Sequence, residues 1–258
     1  MNMLISARNI VTLLALIAAA PLFSLHEELV RVNFLVLNQM KDSDGQEHDV
    51  WQKRYTERLE NKLEQEIPAD LIIHTRSIDL SAIKINRLPA FLFNNFRNLQ
   101  DLHFADNDLS NVSSFELFNK LSDTLRVLGM GYCKLNSIPP QLGNLKKLVK
   151  LYLSGNCFVD EDFSFLRELK MLKIVSLRDC DLSTVPEEIE DLQQLEGLDL
   201  SCNPRLKDAN LSVVNQLPRL RTLALQHHEE ATAIFEEKPA GLRRDIRVKL
   251  GAFDYNDL

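Results

Sequence analysis

The side chains best suited to do chemistry are four cysteines, a run of two histidines and two glutamates, and two carboxylate pairs. The cysteines are Cys133, Cys157, Cys180 and Cys202. None of them falls in a C-x-x-C spacing, so neither a zinc ribbon nor a dithiol redox pair is written here. His227-His228-Glu229-Glu230 lacks the i, i+4 spacing that puts two imidazoles on one helix face for a metal. Glu187-Glu188 and Glu229-Glu230 lie in segments that read as exposed, where no acid is set apart from its neighbour for acid–base work. No nucleophile elbow and no phosphate-binding loop occurs. The expectation is a chain with no catalytic residue, no metal and no cofactor. What remains is a set of tyrosines and arginines, which are residues of binding surfaces.

The elements that would position them emerge from a repeat. Leu148, Leu151, Leu153, Asn156, Phe158, Phe163, Leu166 and Leu169 set a pattern. Leu172, Val175, Leu177, Cys180, Leu182, Val185, Ile189 and Leu192 repeat it, as do Leu195, Leu198, Leu200, Asn203, Leu206, Leu211 and Leu217. Upstream, the same order starts at Leu125 and at Leu99, with an opening unit from Ile78 to Leu92 and a closing half-unit at Leu220, Leu223 and Leu225. The starts at 99, 125, 148, 172, 195 and 220 are 26, 23, 24, 23 and 25 residues apart. Alternation across L-x-L marks a short strand with its leucines inward. The later apolar positions belong to a returning helix, 3₁₀ turn or extended run. One unit cannot cover its own apolar face, whereas stacked units can. Leu88-Pro89, Ile138-Pro139 and Val185-Pro186 place a proline where the returning segment opens and a missing N–H is tolerated.

These strings, L-x-x-L-x-L-x-x-N/C-x-L, resemble the leucine-rich repeat family. The resemblance covers about Thr75 to His228 and implies an α/β solenoid: a curved stack with a parallel sheet on its concave face, closed by N- and C-terminal caps. It further implies that the residue three beyond the second strand leucine is a buried ladder that bonds the backbone of neighbouring turns. That column reads Ile83, Asn107, Cys133, Asn156, Cys180, Asn203 and His228. Cys133 and Cys180 are thereby ladder residues. Cys202 is expected to face outward and to be the most reactive of four reduced thiols. The units with I/V/L-P-x-x-L, at Ile138–Leu142 and Val185–Ile189, are similar to the intracellular Ras-suppressor and phosphatase-regulator type. That likeness implies a non-catalytic scaffold for protein partners, in signalling.

Four segments follow: an apolar N-terminal segment over 1–27, an N-terminal cap with a helix over 28–74, repeats over 75–228, and a C-terminal cap over 229–258. Val50, Tyr55, Leu59 and Leu63 recur at near-helical spacing before Pro68. Ile234, Phe235, Leu242, Ile246 and Leu250 suggest a short helical cap at the other end. Asn9 to Leu25 carries no charge and follows Arg8. This run reads either as a secretory signal or anchor, or as a helix that extends the cap. Only insertion of residues 9–25 would bring the chain to a membrane. The family's extracellular members flank their repeats with cysteine caps, and here no cysteine lies outside the repeats. That favours the cytoplasm over a secreted or membrane-anchored setting. The acceptor patterns at Asn111 and Asn210 are near chance frequency and decide neither way. A net charge of −7, from 30 basic and 37 acidic residues, gives no counterion release on phosphates, so nucleic acid is not the expected partner.

The binding surface is read from the residues between and just after the strand leucines. His103, Gly129, Tyr152, Ser176 and Asp199 form one column, and Gly131, Ser154 and Arg178 belong to the next. Tyr132 stands in a third. Glycines at the centre predict a depression, bordered by Tyr132, Tyr152 and Arg178, that receives a protein partner.

Overall fold

A computed structural model describes residues 31–33, 69–206, 208–225 and 241–249. Within them, parallel strands β1 (Arg31–Asn33), β2 (Ser77–Asp79), β3 (Asp101–His103), β4 (Val127–Gly129) and β5 (Lys150–Tyr152) pair in chain order. They continue into β6 (Ile174–Ser176), β7 (Gly197–Asp199), β8 (Thr222–Ala224) and β9 (Arg247–Lys249). The middle residue of each strand sits opposite the middle residue of the next: Leu102, Leu128, Leu151, Val175, Leu198 and Leu223 form one row. This in-register stacking is what an α/β leucine-rich repeat solenoid requires. A shift of one residue would turn every inward leucine outward.

The chain returns on the opposite side through helix α1 (Ala69–His74), helix α2 (Ala90–Asn95), and then 3₁₀ turns at Glu116–Leu121, Pro140–Asn144, Ser164–Glu168, Glu187–Asp191 and Asp208–Gln216. Pro89, Pro139 and Pro186 cap three of these segments with φ of −72°, −62° and −55°, values that the pyrrolidine ring enforces. Between the two sides lies one continuous core, with Leu128, Leu151, Leu153, Leu177 and Leu198 at 1% exposure or less. Each such leucine contributes about 1.5–3 kcal/mol by leaving water. The upstream repeats fill the same space with Phe93, Phe104 and Phe118; the Phe93 and Phe118 rings meet edge-on at 5.4 Å.

The ladder holds the turns together. The Asn156 side-chain oxygen accepts the N–H groups of Cys133 and Leu135 at 3.1 and 3.0 Å, and its amide donates to the carbonyls of Met130 and Leu153 at 2.8 and 2.7 Å. Asn203 does the same for Cys180 and Leu182, and for Leu177 and Leu200. The thiols of Cys133 and Cys180 substitute by donating to the carbonyls of Phe104 and Leu153 at 3.2 and 3.3 Å. Burial pushes both thiols up to about 12, because a thiolate there would lack solvation.

Two expectations need correction. Cys202 is buried, at 4% exposure, whereas Cys157 is exposed. Cys202 takes a φ of 57°, as Asp106, Tyr132 and Asp179 take 58°, 53° and 54°. The chain is therefore in a left-handed turn at this column, and strand alternation no longer says which way a side chain points. Second, the described part of the C-terminal segment is not helical. Residues 241–246 are turns, and β9 extends the sheet with Val248 opposite Leu223. Leu242 and Ile246 are buried against the last repeat. The Arg243 guanidinium donates to the Leu217 carbonyl at 2.8 Å. The apolar stripe from Val50 to Leu63, the run from Asn9 to Leu25, and His227 and His228 lie outside the described residues.

Candidate functional site

On the concave face, strands β3 to β7 and the turns that follow them enclose an open depression of about 640 Å³. His103, Gly129, Gly131, Tyr132, Tyr152, Ser154, Arg178 and Asp199 line it, with Ala105 and Asp106 at one end. Spacing along the chain sets these residues in three neighbouring columns, and the pairing of neighbouring strands stacks each column across the sheet. Ser176 shares the column of Tyr152 and Asp199 but is fully buried, outside the lining.

The glycines shape the floor. A Cβ on Gly129 would fall 2.5 Å from His103 Nδ1, so the missing side chain is what lets the imidazole lie across β4. Gly155, at φ +68°, has the Tyr132 ring on the spot where its Cβ would stand. Tyr132 thus lies over a neighbouring glycine while keeping 47% of its surface exposed. The rings fill part of the space that the glycines leave.

The C-terminal end of the depression is a hydrogen-bonded chain. Asp199 Oδ1 accepts from the Ser201 N–H at 3.0 Å and from the Ser201 hydroxyl at 2.5 Å. Its Oδ2 accepts from the Ser176 hydroxyl at 3.4 Å. Ser154 and Ser176 share a bond of 2.7 Å, and Arg178 Nη1 donates to Ser201 Oγ at 2.8 Å. With the Ser201 proton turned to Asp199, its oxygen is free to accept from the guanidinium. Asp199, Ser176 and Ser201 show no exposed surface and Ser154 only 7%, so they brace the site from beneath. Ser154, Ser176 and Asp199 were expected on the binding surface; instead the carboxylate draws the hydroxyls down onto itself, since buried polar groups must be paired. The sequence signal for this network is small hydroxyl residues at one-repeat intervals before an aspartate, Ser154, Ser176 and Asp199, with Ser201 just after it. It becomes readable only once strand register is known.

Among the described residues, no group of three or more His, Cys, Asp and Glu is placed to hold a metal, and no helix is long and apolar enough to cross a membrane. The arrangement offers aromatic surface, one braced cation and hydrogen-bonding groups, which is equipment for recognition.

No family model matches the chain. Among curated proteins it is similar to mouse nephrocan, 32% identical over 141 residues, which cover 54% of this chain and 27% of nephrocan. It is also similar to mouse volume-regulated anion channel subunit LRRC8B, 30% identical over 154 residues, covering 57% of this chain and 18% of that protein. The matched stretch therefore spans less than a third of either relative. Among solved structures, a leucine-rich repeat protein of Leptospira interrogans superposes with a TM-score of 0.52 at 29% identity, covering 58% of this chain and 37% of that one. Internalin C2 of Listeria monocytogenes superposes with a TM-score of 0.54 at 20% identity, covering 70% and 73%, which is a likeness of fold.

Proposed function

We propose that this leucine-rich repeat solenoid is a non-catalytic scaffold that takes a protein partner on the concave face. The observation that carries the proposal is the depression itself, where Tyr132, Tyr152 and Arg178 converge on one open surface. Tyr and Arg around a recess are the usual anchors of protein interfaces. The net charge of −7 disfavours nucleic acid as the partner. The I/V/L-P-x-x-L units and the free state of all four cysteines support an intracellular setting, where thiols stay reduced, and a role in signalling. The relatives share only a part of their length with this chain, so the activity of a channel subunit is not carried over to it. The uncharged run from Asn9 to Leu25 favours the second reading, a secreted or membrane-tethered recognition protein.

Affinity capture with the full-length chain tests the first reading. Tyr132→Ala with Tyr152→Ala should remove the captured partner, and Glu187→Ala with Gln193→Ala should not. Loss on the second pair alone would move the site to the opposite side. N-terminal sequencing and localisation of a C-terminal fusion separate the settings: cleavage or membrane retention selects the second.

A further inference from the structure

We infer that the depression receives an acidic side chain of the partner, an Asp or Glu carboxylate, on the guanidinium of Arg178. The inference rests on the concave-face reading and names the chemistry that the partner brings to it.

Arg178 is half-buried, and among the described residues its guanidinium makes one hydrogen bond, the 2.8 Å contact from Nη1 to Ser201. A guanidinium has five N–H donors in a planar fork, so four find no partner among the described residues. Three arginines elsewhere in the fold have a carboxylate at hand: Arg167 at 3.3 Å from Glu188, Arg205 at 3.0 Å from Asp181 and Arg243 at 3.2 Å from Asp245. Arg178 has none within ion-pair distance among the described residues. A cation drawn partly out of water without a counter-charge is costly, and a carboxylate with bidentate geometry is the group that offsets the cost best.

Among the described residues, two acids share the surroundings of Cys202 with Arg178: Asp179 and Asp199. Asp199 is committed to Ser176 and Ser201. Asp179 is exposed in its left-handed turn, where water already solvates it. Asp106, at the far end of the depression, is exposed as well. These acids carry no unmet demand for a partner cation, whereas the half-buried Arg178 has one for an anion. The buried chain gives Arg178 a fixed aim: Asp199 orients the Ser201 hydroxyl, and Ser201 holds Nη1. Presetting a cation in this way lowers the entropy lost on binding. Tyr132 and Tyr152 then shield the ion pair from water, which strengthens it.

A library of random dodecapeptides displayed on phage, panned on the full-length protein, supplies the probe. Selected peptides are made synthetically and their affinities read by fluorescence anisotropy. Peptides sensitive to Tyr152→Ala are expected to contain an Asp or Glu whose change to Asn or Gln weakens binding by about tenfold or more. Arg178→Gln should erase that difference between acid and amide peptides, and Arg178→Lys should restore part of it. If Arg178→Gln fails to fold, the acid-to-amide comparison on the unaltered protein decides alone. Tyr152-sensitive peptides that bind equally well as amides, or that depend on a Lys or Arg, would overturn the acidic assignment and leave the concave reading intact. Peptides indifferent to both Tyr152→Ala and Arg178→Gln, or an empty selection, would count against the concave reading itself.

Discussion

On the convex side Lys146 meets Glu168 at 2.8 Å, Lys170 meets Asp191 at 2.9 Å, and Arg167 reaches Glu188 at 3.3 Å. Each pair links one repeat to the next. On the concave side Arg178 meets a serine hydroxyl, and the buried carboxylate beneath it is held by hydroxyls. Both faces hang on the same leucine core, yet one pairs these charges across repeats and the other sets a cation with no carboxylate within ion-pair distance among the described residues beside two tyrosines. On the proposed reading, the difference separates a binding face from one whose charges are spent on each other. Exposed ion pairs contribute little to stability, so these convex pairs serve mainly to balance one another's charge. The concave depression has guanidinium donors without a partner among the described residues, and aromatic surface, which the proposed partner would use.

The comparison requires first that the two faces share one core. Leu153→Ala and Leu177→Ala should each lower the unfolding free energy by about 2–5 kcal/mol in denaturant titrations. The two leucines are 0% and 1% exposed. A loss well under one kcal/mol at both would undo the register on which both faces depend.

The next largest effect concerns binding. Tyr152→Ala and Arg178→Ala should each weaken partner binding by about 2 kcal/mol while leaving the unfolding midpoint nearly in place. Glu187→Ala and Gln193→Ala, on the convex side, should change binding within error. Isothermal titration with the captured partner measures both sets, and equal losses on the two faces would erase the distinction.

The thiols sharpen the picture inside the stack. Cys157 should alkylate first in the folded protein, and Cys133 and Cys180 only as fast as the fold opens. Their folded values are raised from 9.0 to about 12. Their contribution to stability is therefore complete below pH 9.0 and is lost as the pH rises through about 12. Midpoints measured across that alkaline range should fall more for the unaltered protein than for Cys133→Ala with Cys180→Ala. Rapid labelling of Cys133 under native conditions would contradict the buried ladder.

The smallest effect belongs to the convex pairs. The hydrogen bond from Lys146 holds the Glu168 carboxyl below its ordinary value of 4.5. Its contribution is present above that value and fades as the pH falls through the lower folded one. Both side chains are exposed, so Lys146→Ala should barely move the unfolding midpoint at neutral pH, and salt should remove what shift there is. A large loss would mean that these convex pairs bear on the fold itself.

Much of the fold was legible in the spacing of Leu, Asn and Cys, because burial repeats with the backbone and so writes itself into the sequence. Strand β9 was not legible. Leu242, Ile246 and Val248 stand among charges with Pro239 and Gly241 nearby, and without a full repeat consensus their spacing suited a helix equally well. The burial of Cys202 was misread for another reason: alternation governs side chains within a strand, and Cys202 sits past its end at positive φ. In the depression, residue columns fixed which side chains neighbour one another. Alternation did not reveal that Asp199 would gather Ser176 and Ser201 beneath Arg178, since that depends on side-chain rotamers and distances across strands.

The most direct measurement of the concave-face account is site-specific photocross-linking. A photoreactive phenylalanine analogue is placed at position 132, where Tyr132 is 47% exposed, and in a second protein at position 187, where the Glu187 side chain is 81% exposed. The account predicts that irradiation joins the partner to the chain through position 132 and leaves position 187 uncoupled. Cross-linking through 187 with none through 132, from proteins that capture the partner equally well, would contradict it.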